Sequence, residues 1–134
     1  MSNLFKYEIK TNQKQELINI DQYLYKALEE SEIKDGLMIV YCPHTTTGIT
    51  INENADPDVK KDLSASLNDT FPNHEYFVHI EGNSDGHMKS SVFGASETMI
   101  ITNGEIIFGT WQSAYFCEFD GPRNRTIYIK MIEG

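Results

Sequence analysis

A single compact α+β domain is predicted from three observations. Helical and strand periodicities interleave without a regular βαβ rhythm, the second half is rich in short strand-like runs parted by turn residues, and no linker, repeat or low-complexity segment divides the 134 residues. The expected architecture is a mixed, largely antiparallel β-sheet with two main helices over residues 1–134. A chain of this length buries about two-thirds of the surface its unfolded form exposes. Its 40% hydrophobic content, with seven phenylalanines and seven tyrosines, is that of an ordinary globular protein.

Residues 4–10 alternate polar and apolar side chains, the period of a half-buried strand. Residues 18–33 read as an amphipathic helix with Leu24, Ala27 and Ile33 on its inner face, ended by Asp35-Gly36. A continuous apolar run over 36–42 has the length of a buried strand, and Pro43-His44 follows where that strand leaves the core. The β-branched residues of 47–51 predict the next strand. Asp56-Pro57 opens a second helix, with aspartate as N-cap and proline at the first helical position. Val59, Leu63, Leu67 and Phe71 give it one apolar stripe before Pro72 stops it.

Residues 76–80 read as a short strand, 82–86 as a loop and 87–93 as a short helical stretch whose free amides favour an anion. Strands at 97–102 and 105–108 flank Asn103-Gly104, the strongest hairpin signal in the chain. Strands at 115–119 and 126–132, parted by Asp120-Gly-Pro-Arg, complete the domain.

Eleven basic against twenty acidic residues give a net charge of −9, which opposes general binding to nucleic acid or anionic membrane. Nine of the basic residues are lysines, and the only two arginines, Arg123 and Arg125, share one short segment. The longest apolar run is too short to span a bilayer, and the first residues lack the apolar core and cleavage site of a secretory signal. A cytoplasmic location is therefore expected, with Cys42 and Cys117 reduced and buried rather than paired.

Three of the four histidines, His44, His79 and His87, sit in polar, glycine-containing stretches near Glu53, Asn83 and Asp85, whereas His74 reads as an exposed turn residue. The run His44-Thr-Thr-Thr-Gly-Ile-Thr-Ile-Asn-Glu53 is expected to bring an imidazole and a carboxylate to one rim. Imidazoles with a carboxylate are a usual ligand set for zinc or a similar ion, yet the spacing fits no sequence-local metal motif. Residues alone leave a metal site and ordinary polar loop histidines both open. Glu53 reads as a general base or ligand, or as a solvated strand-end charge. Trp111 reads as a packing anchor or a stacking surface, and Arg123 as a turn cap or a phosphate clamp.

Read together, five blocks resemble the YjbQ-like family, described as secondary thiamine-phosphate synthases. They are the run from His44 to Glu53 with Asp56-Pro57, then Glu81-Gly-Asn-Ser-Asp-Gly-His87, Lys89-Ser-Ser, Gly109-Thr-Trp-Gln112, and Glu118-Phe-Asp-Gly-Pro-Arg123. The resemblance covers nearly the whole chain. It implies a homotrimer with the motif residues around a pocket near the subunit interface, and it places three family histidines on His44, His79 and His87 as ligands of a divalent ion, zinc or magnesium. Phe77 stands where the family usually has tyrosine, and Asp85 falls where the family varies.

The activity implied is condensation of hydroxymethylpyrimidine diphosphate with thiazole phosphate, releasing pyrophosphate and forming thiamine phosphate. Glu53, His87 and Arg123 are the catalytic candidates. Asn52, Asn83, Lys89, Trp111, Gln112 and Arg123 are the candidates for holding a small phosphorylated substrate. A metal-dependent hydrolase and a trimeric binding protein without catalysis are the alternative functions.

Overall fold

A computed structural model describes residues 3–134. The elements run β1 (Leu4–Lys10), β2 (Glu16–Asn19), α1 (Asp21–Ser31), β3 (Gly36–Tyr41), β4 (Thr47–Glu53) and α2 (Pro57–Thr70). They continue with α3 (Ser84–Phe93), β5 (Ser96–Thr102), β6 (Glu105–Ile106), β7 (Gln112–Glu118) and β8 (Asn124–Glu133). The α+β class holds. The strands form two sheets rather than one, β1-β8-β3-β5-β6 and β2-β7-β4, and every pairing between them is antiparallel.

The two-sheet arrangement follows from β7, which is buried from Ser113 through Glu118. Its alternate side chains enter different cores. Ala114 and Phe116 join Ile20, Leu24, Met38, Val40, Ile127 and Ile129 in the main core beneath α1. Tyr115 and Cys117, with Phe119 just beyond the strand, meet Leu67 of α2 in a second cluster, where Phe93 packs edge-on to Phe119. Both cysteines are free and buried.

Local chemistry sets most boundaries. Asp56 Oδ1 accepts the Asp58 N–H at 2.9 Å with Pro57 in the first turn, so α2 begins where its cap predicts. Asn103 and Gly104 both take positive φ, 51° and 73°, as the tight hairpin turn between β5 and β6 requires.

Several expectations are corrected. The helix expected from residue 18 begins at Asp21, because residues 16–19 form β2 against β7. Residues 76–80 form no strand: they pair with nothing, and Tyr76, Val78 and Ile80 are exposed. A third helix of full length, α3, begins at Ser84, three residues before the expected start. It packs tightly because a Cβ on Gly86 would stand 2.9 Å from the Phe119 carbonyl oxygen, a contact only glycine avoids.

Candidate functional site

Beyond Tyr41, β3 has ended while β8 continues, so the Thr126 amide loses its strand neighbour on that side. The His44 ring takes its place, Nε2 accepting the Thr126 N–H at 2.9 Å. The next turn carries Thr46, whose Oγ accepts from Arg125 Nη2 at 2.9 Å. Arg125 is buried, and its Nε and Nη2 grip the two oxygens of the fully buried Glu118 at 2.8 and 2.5 Å. Burial pushes the Glu118 carboxyl upward. Hydrogen bonds from Arg125, the Asp120 amide and Thr11 outweigh that and hold it below its ordinary range.

Above this ion pair lies a pocket of about 390 Å³ lined by residues that include His44, Thr45, Thr46, His79, Glu81, Asn83, His87, Arg123 and Arg125. Three histidines widely separated in sequence thus line one space. The His79 and His87 rings meet at 88° with centroids 5.3 Å apart, and neither ring nitrogen pair has a hydrogen-bond partner among the described residues. His44 differs. Burial, and next the Arg125 charge, lower its pKa, which keeps the ring neutral near pH 7.

Asn83, the N-cap of α3, and His87 in its first turn line the same space. The amides of Gly86 and His87 bond to the Asn83 carbonyl, while those of Ser84 and Asp85 have no acceptor among the described residues. Asn83 provides no side-chain cap: its Nδ2 donates to Asp120 Oδ2 at 2.7 Å, and its Oδ1 is buried without a partner. Arg123 donates Nε to the Asp120 carbonyl and Nη2 to Asp120 Oδ2 at 2.6 Å, so it caps its turn and still lines the pocket with a half-exposed side chain. Asp120 therefore ties Arg123 to Asn83.

Other expected site residues lie elsewhere. Glu53 and Asn52 end a seven-residue strand, and Glu53 pairs with Gln112 while Thr47, near the pocket, pairs with Glu118. At roughly 3.3 Å per residue the two ends of β4 stand on the order of 20 Å apart, so one protomer does not bring His44 and Glu53 to one rim. Around Glu53 gather Asn52, the exposed Trp111, and Gln112, whose Oε1 accepts the Gly109 amide.

Lys89 is also displaced. It is buried in a separate cavity of about 320 Å³ with Lys14, Gln15, Asn68, Asp85 and Phe119, where its Nζ donates to Gln15 Oε1 at 2.6 Å and Asn68 Oδ1 at 2.7 Å. Burial lowers its pKa.

The three imidazoles expected as metal ligands share the pocket but are not gathered as a ligand set in one protomer. Among the described residues no three His, Cys, Asp or Glu side chains could share one ion, and the His44 Nε2 lone pair is already taken by an amide. Arg125, Thr45, Thr46 and Glu81 were missed in the sequence reading. The signal available for Arg125 was its rarity, as one of only two arginines.

Comparison with known proteins finds relatives over nearly the whole chain. The family described as UPF0047 protein YjbQ-like matches residues 5–134. A UPF0047 protein of Methanocaldococcus jannaschii is 54% identical over 129 residues, covering 96% of this chain and 94% of its own. The UPF0047 protein YugU of Bacillus subtilis is 55% identical over 126 residues, covering 93% of this chain and 96% of its own.

Among solved structures, an uncharacterized conserved YjbQ/UPF0047-family protein from Clostridium acetobutylicum superposes with a TM-score of 0.93 at 48% identity, covering 96% of this chain and 99% of its own. A YbjQ-like protein of unknown function from Sulfolobus solfataricus gives 0.93 at 25% identity, covering 98% and 96%. No described helix is long and apolar enough to cross a membrane. The chain belongs to the YjbQ-like UPF0047 family.

Proposed function

We propose that the histidine pocket binds a small phosphorylated substrate and that the chain forms thiamine phosphate there. The observation that carries this reading is the concentration of anion-binding groups in a chain of net charge −9: both arginines and three histidines border one space. In the proposed reaction the carbon–oxygen bond of hydroxymethylpyrimidine diphosphate breaks, the thiazole nitrogen forms the new bond to that carbon, and pyrophosphate leaves. Arg123 and Arg125 offset the charge on the leaving group. His87, with both ring nitrogens unpartnered, supplies a proton to the leaving oxygen. No step is routed through a metal.

The same reading assigns Asn52, Glu53, Trp111 and Gln112 to a neighbouring copy. In a homotrimer these residues, remote from the pocket within one protomer, complete the pocket of the next, where Trp111 stacks on the pyrimidine and the Glu53 carboxylate faces the positive charge that develops as the carbon–oxygen bond breaks. Two features support assembly: Trp111 is 61% exposed, and Val78 and Ile80, at 94% and 101%, are costly to leave in water. The test is a thiamine-phosphate assay with both substrates, run with and without chelator, beside a phosphate-ester hydrolysis assay. Formation of thiamine phosphate supports the reading. Ester hydrolysis without it makes the chain a hydrolase, and tight substrate binding without turnover makes it a binding protein.

A further inference from the structure

We propose that His44 is a neutral hydrogen-bond donor to an anionic oxygen of the bound ligand, acting through Nδ1–H with its tautomer fixed by Thr126. This rests on the anion-binding reading of the pocket and assigns one group within it. The argument begins with proton accounting. A backbone N–H can be accepted only by an unprotonated ring nitrogen, and Nε2 accepts from Thr126 at 2.9 Å. A neutral imidazole with Nε2 unprotonated carries its proton on Nδ1. His44 lines the pocket, and no side chain or carbonyl among the described residues accepts from Nδ1.

The surroundings keep this state in place. Arg125 behind the ring opposes a second proton, while the carboxylates of Glu118 and Glu8 favour one; burial and Arg125 prevail. Glu118 has much of its charge engaged by Arg125, Thr11 and the Asp120 amide. The Thr126 amide cannot turn away, because β8 is held in register against β1 through Thr126 and Glu8. A donor fixed in this way needs no reorganisation when charge develops on a ligand oxygen. The same tautomer denies His44 a role as general base or metal ligand, since its one lone pair in the ring plane is already engaged.

The site asks for a ligand with two faces. Donors come from His44 Nδ1–H and from Arg125 Nη1, which has no partner among the described residues; both side chains line the pocket. The buried, unpartnered Asn83 Oδ1 asks for a donor in return, and its orientation is set by Nδ2 donating to Asp120. A phosphate monoester or diphosphate bearing a nearby hydroxyl or amino group answers both.

The experiment is long-range proton–nitrogen NMR on protein labelled with ¹⁵N-histidine, recorded at neutral pH with and without inorganic phosphate. The same titration is repeated on His44→Gln, which keeps an acceptor for Thr126 but offers no donor at the Nδ1 position. The expected result is a His44 ring protonated only at Nδ1, an Nδ1–H resonance that moves on adding phosphate, and about tenfold weaker phosphate binding in the variant. A ring protonated at Nε2, an imidazolium at neutral pH, or unchanged affinity in the variant overturns the proposal.

The His79 and His87 resonances separate the two readings. If they respond to phosphate while His44 does not, the anion pocket stands and the His44 role fails. If none responds, the pocket reading itself fails.

Discussion

His87 and Lys89 stand two positions apart on α3, and the difference between their surroundings separates a chemical role from a structural one. His87 enters the histidine pocket with no hydrogen-bond partner among the described residues and only the His79 ring against it. Lys89 enters the second cavity and is fastened there by two amide oxygens, from the β1–β2 connection and from α2. Both belong to the blocks that mark the family, so motif membership does not distinguish them. Position and partners do: the Lys89 ammonium is held by two amide oxygens in a cavity apart from the histidine pocket, whereas the unpartnered His87 ring lines that pocket with its full capacity left.

The strongest way to break this contrast is His87→Ala. Turnover should fall by about a hundredfold or more, the usual scale of a lost acid–base group. The melting temperature should stay within about a degree of wild type, since no internal bond is lost. Paired melting and thiamine-phosphate assays read both, and a lowered melting temperature with unchanged activity would make His87 structural.

The mirror experiment is Lys89→Ala. Removing the ammonium strands Gln15 Oε1 and Asn68 Oδ1, at a cost of about 1 to 3 kcal/mol. Denaturant unfolding should show that loss, while activity per folded molecule is retained. Retained stability with lost activity would move the chemistry to the other side of α3.

A smaller effect is expected from pH. In the folded chain His44 is held below its ordinary value of 6.5, so the unfolded chain takes up this proton first on acidification. Stability is therefore highest above that value and declines as pH falls through it. Glu118, also held low, adds a second loss below its ordinary value of 4.5, as pH falls through the folded one. Melting curves from pH 8 to about pH 2 should show both declines, and His44→Gln should abolish the first.

Much of this molecule was legible in its sequence, for reasons that were local. The Asp56-Pro57 cap, the Asn103-Gly104 turn and the alternation of β1 depend on neighbouring residues and were read correctly. The split into two sheets was not legible, because β7 is buried on both faces and its alternate residues serve two cores. Residues 76–80 are rich in aromatic and β-branched side chains yet find no sheet edge to pair with.

At the site, the convergence of His44, His79 and His87 was anticipated through the family resemblance rather than from spacing. Glu53 was misplaced because a strand long enough to be stable also carries its two ends apart. The Thr126 amide that engages His44 comes from 82 residues away, and no local pattern announces it. The same holds for the amide oxygens that immobilise Lys89.

The central claim, that anionic substrate is held in the histidine pocket and not beside Lys89, is tested most directly by calorimetric titration of pyrophosphate into wild type, Arg123→Ala and Lys89→Ala, each in the presence of chelator. The account predicts affinity about tenfold weaker in Arg123→Ala, the loss of one charge-assisted contact, and unchanged in folded Lys89→Ala. Binding that survives Arg123→Ala and vanishes in Lys89→Ala would contradict it.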